Sequence, residues 1–221
     1  MMADQKRFLD DVRGHRLTIE LDQGVHRSLY FGRPGASAYH FRLNTWPGHL
    51  AISGDCGSYT FSRMRDMFKF FRDAGPDYTR EDRINPNYWR EKLESVDRRG
   101  GEAEFSAERY EQTIRSDMNL WVEQFDKPDQ DRILKAAEDD DLLEACETLD
   151  QSLSKACGWK CPVTGEYPNA DFWEHSSHLM QPSFRLVWCM RAIQWGIKRY
   201  DLHHQGRTQA DHDRRVLKGA A

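Results

Sequence analysis

Between residues 16 and 61, apolar and polar side chains alternate with a period of two, and turns rich in glycine and proline punctuate the alternation. Successive side chains of an extended strand point to opposite faces, so this pattern demands a sheet with one apolar face in need of a cover. Residues 16–21 and 28–32 read as strands around a turn at Asp22-Gln23-Gly24, and Pro34-Gly35 supplies the next turn. Tyr39, Phe41 and Leu43 then alternate with His40, Arg42 and Asn44. After Pro47-Gly48, two alternating runs flank Gly54-Asp55-Cys56-Gly57. They predict a hairpin with a four-residue loop, with Leu50, Ile52, Tyr59 and Phe61 on one face. The expectation is a meander of about four or five antiparallel strands.

Helical spacing takes over downstream. A short opening helix ends near Gly14. Residues 62–75 carry Met64, Met67, Phe68 and Phe71 at helical intervals, with Ser62 as N-cap and Gly75-Pro76 as the stop, and predict the first helix over the sheet. Residues 86–97 predict a second short helix. From Ser106, Tyr110, Ile114, Met118, Trp121 and Phe125 form one stripe, and the helical pattern continues from Pro128 to residue 153. Residues 157–172, with Gly158, Pro162, Gly165 and Pro168, read as loop. The apolar residues of 183–201 nearly encircle a helix, which predicts a buried central one. Strands first and helices after favour an α+β class over parallel α/β. The division expected is one domain over residues 1–221: sheet and covering helix at 14–75, a helical part at 102–201, and a polar tail at 202–221.

The net charge of −4 hides an asymmetry: residues 1–100 sum to +3, residues 101–150 to −11 and residues 151–221 to +4. An acidic block of that density repels phosphate backbones and attracts basic surfaces. The N-terminal MMADQKRFLDD has no apolar run, which argues against a signal peptide, and the longest apolar stretch, 186–197, is too short to span a bilayer and contains Arg191. Five cysteines, an odd number, read as free thiols of a reducing, cytoplasmic compartment.

Several residues could carry chemistry. Cys56 sits between two glycines, but a nucleophilic thiol needs a lowered pKa and a base. Asp55 would raise that pKa, His49 faces outward in a strand, and His40 lies on the neighbouring strand. Cys157, Cys161, His175 and His178 are ligand types for tetrahedral zinc in a glycine- and proline-rich setting, although Pro162 removes a backbone donor that such knuckles use. Glu138, Asp139, Asp140 and Asp141 form a contiguous run. That run cannot converge on one metal as hydrolytic carboxylates do; it reads first as a solvated helix end and next as an acidic docking surface. Arg63, Arg65, Lys69 and Arg72 form a basic stripe, diluted by Asp66 and Asp73, on the first covering helix. Trp121, Trp188 and Trp195 read as core. No phosphate-binding loop, dinucleotide fingerprint or hydrolase motif occurs.

Residues 44–72, NTWPGHLAISGDCGSYTFSRMRDMFKFFR, resemble a segment of small uncharacterised proteins of tailed bacteriophages and prophages. Residues 188–201, WCMRAIQWGIKRYD, resemble the C-terminal helix of the same proteins. The resemblance implies a phage accessory protein made in the cytoplasm of a bacterial host. It would act without a cofactor by binding a host or defence protein, as inhibitors of host defence complexes (anti-CRISPR-like proteins) do. It carries over no catalytic residue. With the acidic block, it makes Glu138, Asp139, Asp140 and Asp141 the expected partner-binding residues. The alternatives are a small metal- or thiol-dependent enzyme, and a nucleic-acid-associated factor using the basic stripe. No membrane partner is expected, and the pattern points to no oligomeric state.

Overall fold

In the computed structural model, which describes residues 5–72 and 84–205, the alternating segment forms an antiparallel meander. Its strands are β1 (Arg16–Gln23), β2 (His26–Gly32), β3 (Phe41–Trp46), β4 (His49–Gly54) and β5 (Gly57–Ser62). A sixth strand, β6 (Leu93–Ser95), pairs with β5. The sheet order follows the sequence, and with the helices below the class is α+β. The sixth strand was hidden because residues 86–97 carry helical spacing. Only α3 (Pro86–Arg90) is helical there, with Asn85 as N-cap, and the chain then turns into β6.

Inward-facing Leu29, Phe31, Phe41, Leu43, Leu50, Ile52, Tyr59 and Phe61 are all buried, so the predicted face holds in β2 to β5. β1 is only half-buried, with a register shift between Ile19 and Leu21, and Tyr39 lies in the turn before β3 rather than in the strand expected. Four helices contribute to the same core: α1 (Gln5–Asp11), α2 (Met67–Arg72), α3 through Trp89, and α7 (Phe184–Gln205). Leu186, Trp188, Met190, Ile193 and Ile197 of α7 are buried on several sides of the helix, as an all-round apolar pattern requires. Trp188 meets Phe8 of α1 and Phe41 of β3 edge-to-face, at centroid separations of 5.3 and 5.9 Å. Gly196 lets α7 approach the sheet. A Cβ there would lie 2.9 Å from Leu43 Cδ1 and 3.1 Å from Phe31 Cζ.

The covering helix α2 begins later than its spacing suggested. Ser62 ends β5 rather than capping a helix, and Met64 is exposed. The cap is Asp66, whose Oδ1 accepts from Phe68 N at 3.1 Å while also holding Arg27 at 2.9 Å. Arg63 and Arg65 therefore lie in the loop before α2, not on a helical stripe. Arg72 is bound to Asp201 of α7. Gly75-Pro76 lies outside the described residues.

The chain divides into two compact units. The first comprises residues 1–102 and 182–221, and residues 103–181 form the second. The second unit contains α4 (Ala107–Val122), α5 (Lys127–Asp139), α6 (Leu149–Gly158) and a 3-10 turn, Phe172–His175. A short ribbon pairs β7 (Ala103–Phe105) with β8 (Met180–Pro182). Ser106, Asp126 and Thr148 each accept a backbone N–H at a helix start, which accounts for three boundaries. Tyr110, Ile114 and Met118 are fully buried as their stripe predicts, whereas Trp121 is partly buried and Phe125 lies past the helix end. The helical pattern after Pro128 breaks into α5 and α6 at Asp140 and Asp141, the latter at φ +54°. No helix among the described residues is long and apolar enough to cross a membrane.

Candidate functional site

The cysteine hairpin is built as structure. Gly54 pairs with Gly57, so only Asp55 and Cys56 lie between the strands, and the turn is tighter than the four-residue loop expected. Gly57 adopts φ +124°, in the region open to glycine. Cys56 is 7% exposed and faces the core of the first unit. Burial, aided by the charge of Asp11, pushes its thiol up to about 12 from an ordinary 9.0. Cys189 of α7 donates its thiol to Cys56 O at 3.7 Å. Asp55 instead accepts from Tyr39 N at 2.6 Å and lies 3.3 Å from His40 Nδ1, while His49 pairs with Glu94 at 3.0 Å. A thiol held protonated, with His40 beside Asp55 and His49 at the far end of β4 paired with Glu94, lacks the activation that nucleophilic catalysis needs.

Cys157, Cys161, His175 and His178 do not converge. Cys161 is buried, in a turn closed by its own N–H to Glu166 O and by Gly165 N to Cys161 O, both 2.8 Å. His175 Nε2 lies 3.0 Å from Asp117 Oδ2 of α4. Among the described residues, no three His, Cys, Asp or Glu side chains are grouped to hold a metal ion.

The acidic run stands at the end of α5 with Glu138, Asp139, Asp140 and Asp141 all exposed. It is anchored from within. The Trp159 indole donates to Asp140 Oδ2 at 2.8 Å, and Lys155 Nζ donates to Asp141 O at 2.7 Å and also to Glu144 O. The backbone turn is thus fixed, while Glu138, Asp139 and Asp141 project outward. The second unit has 18 Asp and Glu against 7 Lys and Arg, a net of −11, and the rest of the chain sums to +7. Negative charge is therefore concentrated in a structural unit and not merely in a stretch of sequence.

Sequence reasoning missed one feature of the same unit. Arg109, Gln112, Thr113, Ser116 and Asp117 of α4 face His175 and His178 across an open polar groove of about 300 Å³. The Arg109 guanidinium donates to His178 O at 3.1 Å and Met180 O at 2.5 Å, which holds the wall in place. Trp173, on the 3-10 turn carrying His175, is 59% exposed, and Leu120 of α4 is 70% exposed. The only signal available was polar residues recurring at helical spacing along 109–117, which is what any solvated helix face shows.

The chain was compared with protein-family profiles, with curated proteins and with solved structures, and none of the three comparisons found a match.

Proposed function

We propose that this chain is a phage-encoded accessory protein of the bacterial cytoplasm that acts by protein–protein contact, with the acidic second unit docking on a basic surface of a host defence complex. One observation carries the reading: a net −11 on residues 103–181, with an exposed acidic turn whose Asp140 side chain is held by Trp159 and whose backbone is held by Lys155. Fixed like charges raise association rates with an oppositely charged partner and discriminate against others. A pre-anchored turn also loses little conformational freedom on binding. Exposed Trp173 adds an aromatic side chain of the kind that anchors an interface. The phage assignment rests on the likeness of residues 44–72 and 188–201 to phage and prophage proteins.

The test is capture from host lysate by the tagged chain and by a Glu138→Lys, Asp139→Lys, Asp141→Asn variant. Asp140 stays untouched because Trp159 depends on it, and asparagine tolerates the left-handed backbone at position 141. Recovery of the partner should fall about tenfold or more, and capture by the unaltered chain should weaken with salt. Equal recovery by a variant with an unchanged circular dichroism spectrum would remove the acidic turn from the interface.

A further inference from the structure

The turn between β3 and β4 and the loop after β5 are strapped side by side. Gly48 N donates to Arg65 O at 3.1 Å, and Arg63 N donates to Gly48 O at 3.3 Å. Residues 63–65 therefore run along the turn that carries Trp46 and His49. The Trp46 indole is stacked on the His49 imidazole, with centroids 5.1 Å apart and planes 11° apart, and Trp46 is 39% exposed. Arg63 and Arg65 are exposed, and among the described residues neither guanidinium meets a carboxylate. Among the described residues, Glu94 is committed to His49 at 3.0 Å and Asp66 to Arg27 at 2.9 Å.

The geometry points to a binding site for single-stranded nucleic acid at this end of the sheet, with Trp46 as a stacking platform for a base and Arg63 and Arg65 as contacts to the flanking phosphates. The inference stands apart from the acidic docking surface and lies on the other structural unit. Two exposed arginines on a segment strapped by its backbone to the turn that carries an exposed ring, itself steadied by a second ring, match the two things a single strand offers at every nucleotide, an anion and an open π-face. An acidic peptide would satisfy the guanidinium groups but leave the stacked face idle. A duplex would offer phosphates while hiding its base faces.

The test uses the full chain with labelled oligothymidylate and oligouridylate of about 16 nucleotides, read by fluorescence anisotropy. Binding should weaken as salt rises from about 50 to 200 mM, with a log–log slope near −0.7 for each phosphate contact. Trp46→Ala should lower affinity about 5- to 150-fold with the slope kept, and Trp46→Phe should restore part of the loss. Arg63→Gln with Arg65→Gln should flatten the slope by about 1.4. Binding of either oligonucleotide alone supports the site and names its nucleic acid. The idea fails if neither oligonucleotide binds, if the variants match the parent, if a duplex binds as tightly, or if an acidic peptide competes equally with and without Trp46. Variants of the acidic turn should leave this binding intact, so the two readings fail separately.

Discussion

Asp55 Oδ2 accepts the backbone N–H of Tyr39 at 2.6 Å, and Tyr39 sits at φ +58°, a left-handed conformation rare for an aromatic residue. A carboxylate in one hairpin thus holds a strained residue in the preceding loop. There the Tyr39 ring stacks on Trp188 of α7 at 5.9 Å and 24°. The Gly-Asp-Cys-Gly turn is a clamp joining a loop, a strand pair and the central helix.

Asp55→Ala removes the acceptor and leaves the strain. Stability should fall by about 1–3 kcal/mol in urea unfolding. Asp55→Asn keeps a neutral acceptor and should lose less. Equal losses would mean that the charge and the hydrogen bond contribute nothing separable.

Gly54→Ala should be the most damaging single methyl in the hairpin. An added Cβ would lie 2.1 Å from His40 O and 2.8 Å from Phe41 Cα, both backbone atoms that cannot swing aside. A loss of at least about 3 kcal/mol is expected by chemical denaturation. Gly196→Ala meets side-chain ends instead, at 2.9 and 3.1 Å. It also recovers about 1 kcal/mol of helix propensity, so its net cost should be near 1 kcal/mol.

Alkali should unfold the first unit early. Burial raises Cys56 from 9.0 and Tyr59 from 10.0, each to about 12, and raises Cys189 as well. The unfolded chain releases these protons first. Their stabilisation is therefore complete below about pH 9 and is lost as pH rises towards 12, by up to about 1.4 kcal/mol per pH unit for each group. Urea midpoints from pH 8 to 11 should show the decline, and Cys56→Ala should make it shallower. At pH 8, Cys56 and Cys189 should react with a thiol reagent only after unfolding, ahead of which the half-exposed Cys146 and Cys157 should label.

The Arg72–Asp201 pair ties α2 to α7 through Nε to Oδ2 at 2.9 Å and Nη2 to Oδ1 at 2.5 Å. The side chains are 27% and 17% exposed, so the pair is neither freely solvated nor dry. A double-mutant cycle with Arg72→Ala and Asp201→Ala should give a coupling of about 1–2 kcal/mol. A value near zero would assign the α2–α7 contact to its aromatic residues.

The strands were legible because period two survives in any half-buried sheet, as in Leu50, Ile52, Tyr59 and Phe61. The central helix was legible because its apolar residues leave no polar face. The start of α2 was misplaced because Met64 copies the helical interval while the true cap, Asp66, looks like part of a charged surface. β6 was missed because three residues are too few for a period to appear, and its pairing with β5 is set by tertiary contact. Asp140 was recognisable as acidic, but its role as acceptor for Trp159 joins residues far apart in sequence. The His175–Asp117 pair was hidden for the same reason. The strapping of Arg63 and Arg65 to the Trp46 turn runs through backbone hydrogen bonds, which leave no mark on residue type.

The placement of α7 has a consequence for how the chain is made. The sheet is finished at Ser95, yet the helix that fills its apolar side ends at Gln205. At synthesis rates of about 5–20 residues per second, the ribosome needs roughly 5–20 seconds to deliver that helix. During that wait Phe31, Phe41, Leu43 and Ile52 lack their main cover. What emerges in the interval is residues 103–181, a contiguous unit of net −11 with its own core. Acidic residues are the more effective solubilisers of a chain. The most acidic stretch of the polypeptide therefore follows the uncovered sheet during synthesis and precedes the helix that covers it.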